Sequence, residues 1–183
     1  MDRYKKQGIM ATAFAHAIVG YTIAKTKKDA SKLLIGVSVV SAFFPDMDVF
    51  LHNFGVSYAD MFGHRGFSHS IFFGLLWAGL MLLIFKKLRE VSSFLILFLS
   101  TISHGLIDTM TTGGHGIGLL IPFVNERYFA PDALRVIEVS SMRITRFFSN
   151  TDRLFEILKS EFIWIFVPCI ILLSVIRILR NGN

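Results

Sequence analysis

At 183 residues the chain is long enough for one domain with a substantial core. It is 53% hydrophobic and only 17% charged, with a mean hydropathy of +0.58, which excludes an ordinary soluble domain. Its net charge of +6 would suit nucleic acid, but the basic residues flank apolar segments as membrane topology signals do, and no nucleic-acid partner is expected.

Residues 1–8 form a polar lead-in to the apolar run IMATAFAHAIVGYTIA (9–24). His16 interrupts that run and no small-residue cleavage site follows, so a cleavable signal peptide does not fit. The run predicts a first, short apolar helix. A histidine at membrane depth is costly, which makes His16 a functional candidate beside its plainer reading as a packing group.

KTKKDASK (25–32) reads as a basic loop, and LLIGVSVVSAFF (33–44) as a second apolar helix that must stop at Pro45. Asp46 and Asp48 follow. Two carboxylates two residues apart share no helix face, but in a turn both can converge on a metal; the alternative is that one merely caps the segment from Val49. Residues 49–63 form a connector in which His52 holds no motif position. Then comes Gly63-His64-Arg65-Gly66-Phe67-Ser68-His69, where the flanking glycines open backbone conformations closed to other residues. Ser68 is predicted to cap a helix starting at His69 and running through SIFFGLLWAGLMLLIF.

After a second basic connector, KKLREVSS (86–93), a fourth apolar segment over 94–109 delivers His104 and Asp108. Residues four apart on a helix share a face, about 6 Å apart along the axis, so these two can hold one metal ion or neighbouring ions. A packing histidine and a helix-end aspartate would explain the pair alone; the other His/Asp clusters decide against that. The turn Thr111–Gly116 is flexible, with backbone amides able to cradle an anion, although glycines also end helices; His115 within it is not assigned as a ligand.

Residues 117–160 carry Arg127, Arg135, Arg143, Arg146 and Arg153, which could bind phosphates bidentately; a solvated or headgroup-facing role is favoured for most. Alternation in RVIEVSS predicts a short strand or extended piece. FIWIFVPCIILLSVIRIL (162–179) is the last span, loosened at Pro168, and its lone Cys169 can form no internal disulfide. The whole reads as an all-α, multi-pass integral membrane protein with four to five apolar helices. It is a single membrane-embedded domain over 1–183, with 110–160 as a non-spanning loop region.

The connectors at 25–32 and 86–89, with Arg177 and Arg180, should be cytoplasmic by the positive-inside rule. The opposite helix ends, carrying Asp46 and Asp48, His64 to His69, and His104 with Asp108, then meet at the extracytoplasmic face. Arg3, Lys5, Lys6 and the loop arginines oppose this orientation; inverting it changes the side of the membrane and not the clustering.

Histidine nitrogens and aspartate oxygens without cysteine suit zinc or another divalent transition metal. The donors outnumber those of one closed structural zinc, which favours an open site with one to two ions. Such a site lowers the pKa of bound water to about 7 and clamps a phosphate or carbonyl oxygen.

In His16, FPDMD (44–48), HRGFSHS (64–70), HGLIDTMTTGG (104–114) and PFVNERYF (122–129), the chain resembles the bacterial membrane-bound predicted metal-dependent hydrolases, typified by a LexA-regulated inner-membrane member. The resemblance covers nearly the whole chain and implies a multi-pass protein with a metal site of His and Asp residues. More loosely, the order His16, Asp46/Asp48, His69, His104, Asp108, His115 is similar to that of zinc-dependent phospholipase C and related single-strand nucleases. A further downstream histidine and acid are missing, so the analogy implies at most two metals, and it tilts the expected chemistry toward phosphoester hydrolysis.

The expected function is therefore a metal-dependent hydrolase acting on a lipid-borne phosphoester, with membrane lipids as partners. Asp46 or Asp48, His69, His104 and Asp108 are the expected ligands, with His16 on a second metal. His64 is the expected ligand or general acid, and Arg65 is expected to meet the substrate's charge. A transporter or channel would instead spread His and Asp through the helices' depth. A non-catalytic, metal-stapled protein would saturate the ion with protein ligands.

Overall fold

Helix ends set the architecture. In the computed structural model, which describes residues 9–141 and 151–182, Thr12 and Ser31 each fold a side-chain oxygen back onto a backbone amide, starting α1 (Ala13–Ala24) and α2 (Lys32–Phe43). Pro45 ends α2 as expected. The chain tightens into a 3-10 helix over Phe44–Phe54, which presents Asp46 and Asp48 inward.

The expected cap at Ser68 needs correction. Residues Phe67–His69 form a separate 3-10 turn, and Ser70, extended at φ −81° and ψ 155°, accepts from the Phe73 amide to start α3 (Ile71–Ile84). Ser68 instead gives its hydroxyl to Asp48. Next, α4 spans Val91–Thr109, and α5 spans Thr151–Asn181 with a wider π turn at Phe162–Phe166 just before Pro168. Thus α5 begins well before the apolar run at 162, because TDRLFEILKSE is itself amphipathic at helical spacing. The expected extended piece is present: β2 (Ser140–Ser141) pairs antiparallel with β1 (Ile9–Met10). Arg3, Lys5, Lys6, Arg143 and Arg146 lie outside the described residues.

The segments Lys32–Phe54, Val91–Thr109 and Thr151–Asn181 are long and apolar enough to cross a membrane, and α1 and α3 are shorter apolar helices. Their outer faces expose Leu76, Leu83, Leu95, Leu99, Ile171 and Ile178. Their inner faces are small: a methyl group on Gly20 would lie 2.6 Å from the Ser38 carbonyl oxygen, so α1 and α2 cross nearly backbone to backbone. Leu34, Val37, Ala78, Met81, Ile96 and Leu97 fill the space among α2, α3 and α4.

The two ends of the assembly differ. At one, Lys27 pairs with Glu90 across the two basic connectors, and the Arg180 guanidinium donates to the Lys25 carbonyl at 2.7 Å. At the other meet the starts of α1 and α3 and the ends of α2 and α4. The clustering expected from the sequence is therefore present.

Candidate metal centre

Three elements deliver one group of four donor residues. The 3-10 helix after α2 brings Asp46, the turn before α3 brings His69, and α4 brings His104 and Asp108 from successive turns of one face. One donor atom from each of these four lies within 4.8 Å of all the others, and all four residues are buried. His69 Nε2 and His104 Nε2 are 3.0 Å apart, and His104 Nε2 is 3.2 Å from Asp46 Oδ1. Ligands at zinc distances sit about 3.3 Å from one another around a tetrahedron, so these spacings suit a shared ion.

The histidines are held in the tautomer that ligation needs. His104 Nδ1 donates to the Ala42 carbonyl at 2.8 Å, which turns the Nε2 lone pair into the cluster. His69 Nδ1 lies 2.9 Å from Ser68 Oγ, with Asp48 behind that hydroxyl, and its Nε2 points the same way. Two nitrogens facing each other in this arrangement need a proton or a metal between them.

His16 joins from α1. Its Nε2 stands 3.6 Å from Asp108 Oδ1, and neither ring nitrogen has a hydrogen-bond partner among the described residues. The same holds for both oxygens of Asp46 and both of Asp108. Buried polar atoms without hydrogen bonds cost on the order of 1–3 kcal/mol each, so six in one place, only Asp108 Oδ2 being offset by Arg65, mark a donor set built for something other than the protein itself.

Asp48 differs from Asp46. Its Oδ1 accepts from His64 Nδ1 at 2.7 Å, and its Oδ2 takes the Ser68 hydroxyl and the Arg65 amide, the latter at 3.3 Å. Asp48, His64 and His69 form a second group that could hold an ion, yet the Asp48 oxygens are already engaged. Asp48 thus orients His64 and His69, while Asp46 faces the donor cluster. His64 keeps Nε2 buried and without a hydrogen-bond partner among the described residues.

Arg65 was expected to meet a substrate. Instead it is fully buried, and its fork is turned inward. Nε sits 3.3 Å from Asp108 Oδ2, Nη1 donates to the Gly113 carbonyl at 2.9 Å, and Nη2 donates to Thr111 Oγ1 at 3.1 Å. It fixes Asp108 from behind. The backbone at Arg65 is itself left-handed, φ 66°, whereas the flanking Gly63 and Gly66 are not. Those glycines serve close approach: added methyl groups would lie 2.1 and 2.2 Å from the carbonyl oxygens of Ser57 and Met61. The Thr111–Gly116 turn, expected to offer amides to an anion, offers the Gly113 carbonyl and Thr111 hydroxyl to Arg65.

Of the described loop arginines, Arg127 and Arg135 are also turned inward. Arg127 donates to the carbonyls of His64, Tyr58 and Asp60, and Arg135 to those of Thr111 and Thr112 while lying over the Phe129 ring. Arg153 pairs with Glu138 and Glu156. His52 and His115 are exposed and outside the cluster.

Sequence reasoning missed Glu161. It is buried, and its two oxygens accept from the Thr12 amide and hydroxyl, each at 2.6 Å, tying α5 to the start of α1 near His16. The signal was an acid directly beside the last apolar run.

The family profile described as "YdjM inner membrane protein" matches residues 4–183. The chain is also similar to "Inner membrane protein YbcI" of Escherichia coli (strain K12), 34% identical over 172 residues that make up 91% of this chain and 97% of that protein. No solved structure matches. Both matches are to inner membrane proteins, in agreement with the membrane class expected from composition, and neither names a reaction.

Proposed function

This chain belongs to the YdjM inner membrane protein family, and we propose that in that membrane it is a metal-dependent hydrolase acting on a lipid-borne phosphoester. The observation that carries the reading is the set of buried donors on His16, Asp46 and Asp108 that make no hydrogen bond among the described residues, around the facing nitrogens of His69 and His104. Asp46, His69, His104 and Asp108 would hold zinc or a similar divalent ion. Asp108 turns Oδ1 toward His16 and Oδ2 toward His69, so it is placed to be shared if His16 holds a second ion. A metal bound there would acidify a water and draw charge from a phosphoryl oxygen.

The protein's own groups would do the rest. Asp48 holds His64 by Nδ1, leaving Nε2 to accept or return a proton. The rim around this end is apolar and exposed, with Phe50, Phe54, Phe62 and Phe123, which favours a substrate whose tail stays in the bilayer. The extracytoplasmic face is the proposed side, since the basic connectors and Arg180 gather at the other end.

Two rivals fit less well. A conduction path would need ionisable groups along the helices, whereas the deeper buried hydroxyls of Thr22, Ser41 and Thr101 bond to their own helix backbones. A metal staple would leave His64 Nε2 without purpose. The test is elemental analysis of protein purified in detergent without added metal, followed by a phosphodiester hydrolysis assay. One to two ions per chain are expected, with occupancy lowered in folded His104→Ala and Asp108→Ala variants. Absence of metal even after zinc is offered would end the reading.

A further inference from the structure

One polar atom beside the centre is left without a role. The Tyr58 hydroxyl is buried and has no hydrogen-bond partner among the described residues, although part of the residue reaches the surface. Its ring stands edge-on to His64 with centroids 5.2 Å apart, and packs against His115 at 4.9 Å. The segment that carries it is fixed: Arg127 Nη2 donates to the Tyr58 carbonyl at 3.2 Å, and Nη1 donates to the His64 carbonyl at 3.0 Å. One guanidinium therefore sets the spacing between the tyrosine and the histidine.

The two side chains are complementary. With Nδ1–H given to Asp48, His64 has an acceptor at Nε2, and that atom too is buried without a hydrogen-bond partner among the described residues. Tyr58 offers a donor. A buried phenol ordinarily finds a partner, because leaving it unpaired costs on the order of 1–3 kcal/mol. Burial pushes this phenol up to about 12, with Arg65 and Arg127 opposing and Asp108 and Asp48 adding to the rise, so at neutral pH it remains a donor. A donor and an acceptor carried on adjoining rings, with Arg127 holding both segments, match an oxyanion that also carries or receives a proton, as a phosphoryl group does.

We propose that Tyr58 is a substrate-contacting residue whose hydroxyl donates to a non-bridging phosphoryl oxygen beside His64 Nε2. The inference rests on the metal-dependent phosphoester reading and adds to it the residue that recognises the phosphoryl group. Tyr58 makes no claim on the metal, which separates the two ideas experimentally.

The test compares wild-type protein with Tyr58→Phe, both zinc-loaded in detergent, titrated with inorganic phosphate by calorimetry with metal content measured on the same samples. Phenylalanine keeps the ring against His64 and His115 and removes only the hydroxyl. Equal metal content is expected, with phosphate binding weakened by roughly tenfold to a hundredfold, the range for losing a hydrogen bond to a charged group. Phosphate should also perturb the near-ultraviolet phenol absorption of the wild type and not of the variant. Equal phosphate affinity at equal metal content overturns the proposal, as does a variant that loses metal, since the hydroxyl would then support the metal site and not the phosphoryl group. A zinc-loaded wild type that binds no phosphate also overturns it while leaving the metal centre standing. A wild type that takes up no metal overturns the reading beneath it and this inference together.

Discussion

His16 lies against His104 with ring centroids 3.8 Å apart and planes 24° from parallel, so α1 and α4 meet through two stacked imidazoles. The stack places His16 Nε2 beside Asp108 Oδ1, on the helix turn after His104. A packing histidine would have its nitrogens satisfied by neighbours; here both are buried and free of hydrogen bonds among the described residues. His16→Ala should therefore lower metal affinity while leaving the His69–His104–Asp46 group in place. A chelator competition should show a loss of roughly tenfold or more, by comparison with the 10–100-fold cost of losing even an outer-shell partner. An unchanged affinity would return His16 to the packing role.

Asp46 and Asp48 should respond unequally to the same change. Asn at 46 removes a carboxylate whose two oxygens face the donor cluster. Asn at 48 leaves the cluster's own atoms in place but loosens His64, His69 and Ser68 together. Metal titrations should show the greater loss for Asp46→Asn and a loss within roughly 10–100-fold for Asp48→Asn. Matching losses at both positions would contradict the division of roles.

The sequence made some of this legible and hid the rest for physical reasons. His104 and Asp108 could be paired because helical periodicity is local, and Pro45 had to end α2 wherever its partners lay. Ser68 and Ser70 are equally good caps in sequence; only the position of Asp48 decides that one serves a carboxylate and the other a helix. Arg65 was expected at the substrate's charge because its acceptors at Thr111 and Gly113 are more than forty residues away. Glu161 could be marked as an acid beside the last apolar run, but its partner could not be found there: Thr12 and Glu161 are 149 positions apart.

Metal affinity should rise with pH. Burial works against a charge on His69, but the carboxylates of Asp48 and Asp46 outweigh it and push this imidazole up to about 9. A raised value means the metal-free protein carries the proton at neutral pH, and a metal at Nε2 must displace it. Affinity should then climb about tenfold per pH unit for that one proton and level off above its pKa. Chelator competition across the neutral range checks the slope; a flat profile would mean His69 is not displaced.

Gly114→Ala should unseat Arg65. The position has φ 96°, where a side chain is strained, and an added methyl would sit 2.2 Å from Arg65 Nη1. A cost of about 1–3 kcal/mol is expected from the backbone alone. Thermal unfolding in detergent should show a clear drop, whereas Gly36→Ala, with nothing within 4 Å, should be neutral or slightly stabilising.

Arg65→Lys tests whether the arginine acts on substrate or on Asp108. Lysine keeps the charge but has no planar fork, so it cannot reach Asp108, the Gly113 carbonyl and Thr111 Oγ1 at once. If Arg65 contacted substrate, the variant would keep its metal and lose turnover. The buried geometry argues the reverse: Asp108 loses its brace, and metal affinity and hydrolysis should fall together. Arg65→Met should be worse, because breaking a buried ion pair by removing one partner costs about 3–5 kcal/mol. Metal content, unfolding temperature and phosphodiester turnover, measured on the same preparations, distinguish the two. Turnover that collapses at full metal occupancy would put the guanidinium back at the substrate.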